Sequence, residues 1–269
     1  MPCIFACRLT KVCAVSTALA PPPVPGQPSL SVVLPCLNEL RHSYLPRILD
    51  NLTQQQGAAE LIAVVSPSQD ATREIIARYP QITLIDTDAQ NRAQRLTVGI
   101  TASQGDVVVL HHPATLLPER TALQQVQQLM ADPSIVWGGF HHSFDVDHWL
   151  LRFTSWYSNT QRAVRGQILY LDHCIFARRE ALEKIGGVPN MDIFEDTALS
   201  QALQPFGPPQ LVPGTVVTSA RRFQQRGLYR HAVLNQALKL MYYLDLDPKY
   251  MNWLYEGKAQ INVRYGKRG

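Results

Sequence analysis

The chain has 269 residues, 46% of them hydrophobic and 17% charged, with a formal net charge of +4. That length suits one large α/β domain with a full core and is short for two independent ones. The positive excess permits an acidic small-molecule ligand but is too weak to argue for nucleic acid, and no apolar run is long enough to span a bilayer. Five cysteines include no C-x-x-C pair, so neither a disulfide framework nor a structural zinc site is indicated, and a reducing cytoplasm fits best.

Residues 1–29 read as a Pro/Ala-rich disordered leader, MPCIFACRLTKVCAVSTALAPPPVPGQP and the Ser after it. Its basic residues, brief apolar patch and ALA faintly resemble a signal peptide, but the patch is short and the proline-rich tail reads as a linker. Residues 30–269 are expected to form a single domain. LSVVLPCL is a strand-like apolar run followed by a helical LPRILDNLTQQQ; ELIAVVS and DATREIIARY repeat the pair, with Asp70 placed to cap. QITLID, NRAQRLTVGITASQ, DVVVLHH and PERTALQQVQQLMAD continue the alternation, and SIVWGGFHHSFD is another strand whose Gly138 and Gly139 suggest a bulge or a close backbone approach. Apolar strands separated by helices imply an α/β fold, a mostly parallel sheet covered on both faces, which binds ligands at the carboxyl ends of its strands. Asn38, Ser66 and His112 fall on that rim.

The second half is less regular. DHWLLRFTSWYSNTQRAVR precedes LYLDHCIFARREALEKIGGVP and EDTALSQALQPFG; a strand-like QLVPGTVVTSA, a basic RRFQQRG and a helical LYRHAVLNQALKLMYYL follow. There is no G-x-G-x-x-G after the first strand, no P-loop and no G-x-S-x-G elbow, which removes the commonest dinucleotide, NTPase and hydrolase readings.

What remains, in order, is SVVLPCLNE, SPSQDAT, NRAQRLTVG, LHHPATLLP, LDHCIFARREALEKIGGVP and FEDTALS. This order resembles the family-two glycosyltransferases of GT-A (Rossmann-like) fold. FEDTALSQAL and the tail SARRFQQRGLYRHAVLNQALKLMYYLDLDP bring it nearest to the short bacterial radical-SAM/selenodomain-associated transferases. The resemblance spans Ser31 to about Tyr255 and implies a helical C-terminal segment, a nucleotide-sugar donor, a hydroxyl acceptor, inversion at the sugar, and a divalent cation, magnesium or manganese, on the donor's diphosphate.

The site residues it implies carry over unevenly. Pro35, Asn38 and Glu39 would meet the donor's nucleoside, and Arg92 the nucleotide; a strand end with Asn38 as a helix cap, and Arg92 in solvent, are the bland alternatives. Val65 stands where the family has an Asp, and Thr97 where it has an Asn. In the stretch His111 to Thr115, similar proteins read Leu-His-Ala-Asp-Thr, so His112 matches the family's own His and Ala114 occupies the position of the metal-binding Asp. Adjacent histidines on a strand point to opposite faces, and a hard cation wants carboxylate oxygen, so His111 and His112 are a poor chelate: no metal ligand is assigned and the site has lost its acid. Gly139 and Asp172 match positions near the donor sugar and acceptor. Asp196 is the expected catalytic base, with Glu195 beside it orienting the acceptor; two acids at a helix start otherwise merely complement its dipole. Arg222 would stabilise the departing diphosphate.

Two readings stay open at this point: an inverting glycosyltransferase with a degenerate donor and metal site, or an inactive GT-A scaffold serving as a binding or partner module. The C-terminal basic helix, with its stripe of Leu228, Val233, Leu234, Leu238, Met241 and Tyr242, faces core, a protein partner or an anionic membrane surface.

Overall fold

The computed structural model of the protein describes residues 26–40, 44–57, 59–257 and 263–264. The expected leader therefore lies outside the described residues up to position 25. Eight strands, β1 (Leu30–Cys36), β2 (Ala59–Val65), β3 (Ile82–Asp86), β4 (Val107–Leu110), β5 (Thr115–Leu116), β6 (Trp137–Phe144), β7 (Phe176–Arg178) and β8 (Gln210–Thr218), make one sheet in the order β3-β2-β1-β4-β7-β6-β8-β5. The pairs among β1 to β4 are parallel, as is β6 with β8; β7 runs antiparallel to both of its neighbours, and β5 to β8.

β1, β2 and β4 are apolar at most positions because both faces of the sheet are covered. Leu30, Val32 and Leu34 of β1 pack with Leu45 and Ile48 of α1 (Tyr44–Thr53) and with Val126 of α4 (Ala122–Met130). Val33, one residue out of phase, packs on the other face with Ala93, Leu96 and Ile100 of α3 (Arg92–Ala102) and with Leu182 of α6 (Arg179–Lys184) and Leu199 of α7 (Glu195–Leu203). Each fully buried Leu or Val contributes about 1.5–3 kcal/mol, so a two-sided central sheet of this kind carries most of the fold's driving force. α2 (Thr72–Ile76) is a single short helix whose entry is held by Asp70, which accepts from the Thr72 amide at 3.1 Å and from its hydroxyl.

The second half adds elements that periodicity did not show. α5 (Trp149–Tyr157) runs directly into a π-helical segment over Ser158–Arg165, a wide turn common at functional sites. A 3₁₀ turn (Leu171–His173) precedes the three-residue β7, and the basic RRFQQRG forms a helix, α8 (Arg221–Arg226), ahead of α9 (Leu228–Tyr243) and α10 (Pro248–Glu256). The stripe expected on α9 is divided. Leu234, Leu238, Met241 and Tyr242 pack with Ile193 and Met251, whereas Val233 points into solvent.

Of the two alternatives offered for the Gly-Gly pair, the close backbone approach is the one found at the glycines themselves, and the bulge lies just beyond them. The register between β6 and β8 slips between Phe140 and His141, and a Cβ on Gly138 would lie 1.9 Å from the Gln210 carbonyl oxygen. Gly138→Ala must push backbone against backbone, and is expected to cost about 1–3 kcal/mol, read as a lower urea midpoint with an unchanged slope.

Candidate active site

The loop after β1 is pinned by the loop after β2. Asn38, in the left-handed region at φ 53°, donates its backbone amide to the Ser68 hydroxyl at 3.0 Å and accepts from the Gln69 amide on its side-chain oxygen at 2.6 Å. The Glu39 amide donates to the Thr72 hydroxyl at 2.8 Å, and the Leu40 amide to Asp70 at 3.0 Å. Asp70 is thus a structural tie, as its spacing suggested. Pro35 is buried within β1 against Val64, and the Glu39 carboxyl is buried with Arg221 3.9 Å away; burial pushes it up to about 7.

A cavity of about 190 Å³ opens beyond the carboxyl end of β4. Arg92, His112, Ala114, Asp172, Asp196, Arg221 and Arg222 all reach it, which brings together residues drawn from 130 positions of chain. His112 Nδ1 accepts from the Ala114 amide at 3.3 Å and stands 3.4 Å from an Asp172 oxygen, while His142 Nε2 is 3.9 Å from the other. Asp196, buried at the first turn of α7, accepts the Leu171 amide at 3.0 Å on one oxygen and its neighbour's amide, on Thr197, at 2.7 Å on the other. Burial raises both the Asp196 and Asp172 carboxyls above their ordinary range. Burial lowers the His112 imidazole, helped by Arg92, Arg222 and Arg221, so it stays neutral. Arg222 lies over the Tyr255 ring, 5.0 Å from its centre, and donates to its hydroxyl.

The sequence of residues 31–186 matches the family described as glycosyl transferase family 2. The chain belongs to that family. No curated protein matches it. Solved structures agree in fold. The mannosyltransferase PcManGT from Pyrobaculum calidifontis, in complex with GDP-Man and Mn2+, is 21% identical with a TM-score of 0.59 over 89% of this chain and 68% of its own. Glucosyl-3-phosphoglycerate synthase from Mycobacterium tuberculosis, in complex with Mn2+, UDP and glucosyl-3-phosphoglycerate, is 16% identical with a TM-score of 0.58, covering 81% of each chain. TarS residues 1–349 from S. aureus with UDP-GlcNAc gives 13% identity and 0.56 over 85% and 70%. At these identities the likeness carries the GT-A fold.

Within this family-two chain several expected site residues sit elsewhere than anticipated. Glu195 does not reach the cavity. It is buried behind Arg92 and accepts from its Nε, so it orients a cation rather than an acceptor. Gly139 is a packing position: a Cβ there would meet Leu169 and the His173 carbonyl at 3.0 Å, so it supports the turn that carries Asp172. Pro35, Asn38 and Glu39 do not line the cavity; Glu39 stands 3.9 Å from Arg221, which does. Sequence reasoning missed His142, Tyr170, Asn235, Lys239 and Tyr255, all of which line the cavity. Lys239 stands 5.5 Å from the centre of the Tyr170 ring, and burial lowers its ammonium to about 8. Their signal was spread over elements with no shared motif.

The family implies a divalent cation, and the donor set here does not fit one. Ala114 supplies no carboxylate, its amide is committed to His112, and its carbonyl accepts from Ser219. Asp172 has imidazoles rather than oxygen ligands beside it, and among the described residues no three metal-ligating side chains converge. A hard cation requires several oxygens.

His111 and His112 follow the end of β4 and part company: His112 lines the cavity and His111 does not. His111 is fully buried with neither ring nitrogen bonded among the described residues. Burial pushes His111 and His142 down to about 4 and His173 to about 3. Because these folded-state values lie below the ordinary 6.5, the stability they carry is complete above that pH and is lost as pH falls through about 4 to about 3. Urea midpoints measured between those limits are expected to fall with acid, and His111→Leu to flatten part of that slope relative to the parent.

Proposed function

We propose that the protein transfers a sugar, with inversion, from a nucleotide-sugar donor to a hydroxyl acceptor, and does so without the family's carboxylate metal cage. The observation that carries this reading is Asp196: a buried carboxylate, braced by two backbone amides, opening into a cavity where Arg92, Arg221 and Arg222 converge. Its raised pKa suits a general base, which must hold a proton in passing at near-neutral pH. Asp196 takes the proton of the acceptor hydroxyl as that oxygen attacks the anomeric carbon. The new carbon–oxygen bond forms on one face while the bond to the diphosphate oxygen breaks on the other, and the nucleoside diphosphate leaves with the electron pair. Three guanidiniums around a low-dielectric cavity stabilise the charge that gathers there. Glu195 holds Arg92 in place, and the Ala114 amide, donating to Nδ1, holds the neutral His112 at the floor. The sequence order also supports a place among the short radical-SAM-associated members of the family.

Asp196→Asn keeps the shape but cannot accept a proton. Transfer measured by release of nucleoside diphosphate is expected to fall by about 10²–10⁴-fold while donor affinity, read by calorimetry, stays near that of the parent; unchanged turnover removes Asp196 from the chemistry. Ala114→Asp restores the missing oxygen ligand, and is expected to tighten manganese-dependent nucleotide binding on the order of tenfold. A variant with no change in metal dependence would show that the loop is aligned wrongly.

A second reading is favoured by one specific pattern. Val65 and Ala114 both stand at positions of donor-side acids, which is what a scaffold that has abandoned donor chemistry would show. Titration with a panel of nucleoside diphosphates and nucleotide sugars separates the two, since the scaffold binds none of them.

A further inference from the structure

Every large apolar side chain that is exposed among the described residues lies between positions 149 and 164 or between 229 and 253. On α5, Trp149, Phe153 and Trp156 are spaced i, i+4, i+7 and so share one face; on α9, Tyr229, Val233 and Tyr243, at i, i+4 and i+14, also fall on one side, and each of the six is more than half exposed. The two faces adjoin. The Trp149 and Tyr229 rings are 6.2 Å apart at their centres, and Arg162 reaches the Tyr243 hydroxyl at 3.5 Å. The same helices also turn polar side chains the other way. Thr154 and Ser158, at α5 and its π-helical continuation, and Asn235 and Lys239 of α9 line the cavity. The aromatic face is therefore carried by the same two helices whose opposite sides wall the candidate site.

We infer that this α5–α9 face docks on a lipid bilayer surface bearing anionic headgroups. Trp and Tyr combine an apolar body with a polar tip, and they are the residues that settle at a membrane–water interface. The charge is complementary. No Asp or Glu occurs from 148 to 171 or from 197 to 244; Arg165 and Arg230 are exposed on these segments, and Arg152 is exposed but paired with Asp147 at 2.8 Å. A face with an excess of cations meeting anionic lipid gains about 1 kcal/mol per unpaired cation near the surface. The same face meeting a second copy of itself would set guanidinium against guanidinium, which disfavours self-association. No described helix is long and apolar enough to cross a membrane, so the contact is interfacial. If the transferase reading holds, Asp196 then works on a hydroxyl presented at the lipid–water boundary; the docking itself does not depend on that reading.

The test is flotation of the full chain with vesicles of phosphatidylcholine, with and without about 30 mole per cent phosphatidylglycerol, beside a double variant, Phe153→Glu with Val233→Glu. Both positions are exposed, so the variant should melt like the parent and bind nucleotide as the parent does. The parent is expected to float with the anionic vesicles about tenfold more than with the neutral ones, with a blue shift of tryptophan emission, and the variant to lose that binding. A parent that floats with neither vesicle, or a variant that floats as well as the parent, overturns the inference. So does sedimentation velocity showing a parent dimer that the variant dissolves, which would assign the face to a second copy. Nucleotide titration of the same samples reports separately on the transferase reading.

Discussion

The buried ion pair between Arg92 and Glu195 joins the two halves of the molecule. Arg92 is the first residue of α3, which lies under the parallel half of the sheet, and Glu195 is the first residue of α7, which comes 103 positions later. The neighbouring Asn91 side chain makes the same crossing, donating to Asn190 at 2.9 Å and to Asp192 at 3.0 Å. A pair so far from water gains little over an apolar substitute, yet removing one member leaves the other stranded at a cost of about 3–5 kcal/mol. The arrangement thus fixes where Arg92 points more than it adds to stability. It also sets Asp196, the next residue, at a defined place on the cavity wall.

Around that cavity, positive charge outweighs negative. Arg92, Arg221, Arg222 and Lys239 face it with only Asp172 and Asp196 in opposition, and His112 and His142 are held neutral by burial. Ala114, in the same lining, adds no carboxylate to this balance. A metal cage presents a carboxylate plus a dication, a net positive site; guanidiniums alone present positive charge without first having to neutralise a carboxylate. Glu39, beside Arg221 and pushed towards neutrality by burial, offsets little of that field.

The parallel half of the fold was legible because its physics is local and repetitive. β1 to β4 read as apolar runs, and α1, α3 and α4 as periodic segments between them. The order of short motifs pointed to the right family, and Arg92, His112, Asp172, Asp196 and Arg222 do converge. The second half was harder to read. β5 and β7 have two and three residues, too few for any alternation to show, and the π-helical segment follows no 3.6-residue period. Adjacency in sequence says nothing about which of two neighbours a helix start turns inward: Asp196 lines the cavity, whereas Glu195 accepts from Arg92. Gly139 was read as a site residue because it neighbours site residues, whereas its contacts are those of packing.

The shortness of β7 has its own consequence. It pairs with β6 only at Trp137 and Gly138, and beyond that Cys174, at φ 47°, turns the chain out of the ladder. Side chains then stand in for the lost strand: His173 bonds the Phe140 carbonyl at 2.8 Å, and the Asn159 amide pairs with both the N–H and the C=O of His142. Had the register continued, His142 would sit opposite Asp172 as one more rung. The cavity is in effect a strand left unfinished, and the chemistry occupies the space where backbone hydrogen bonds would otherwise have been.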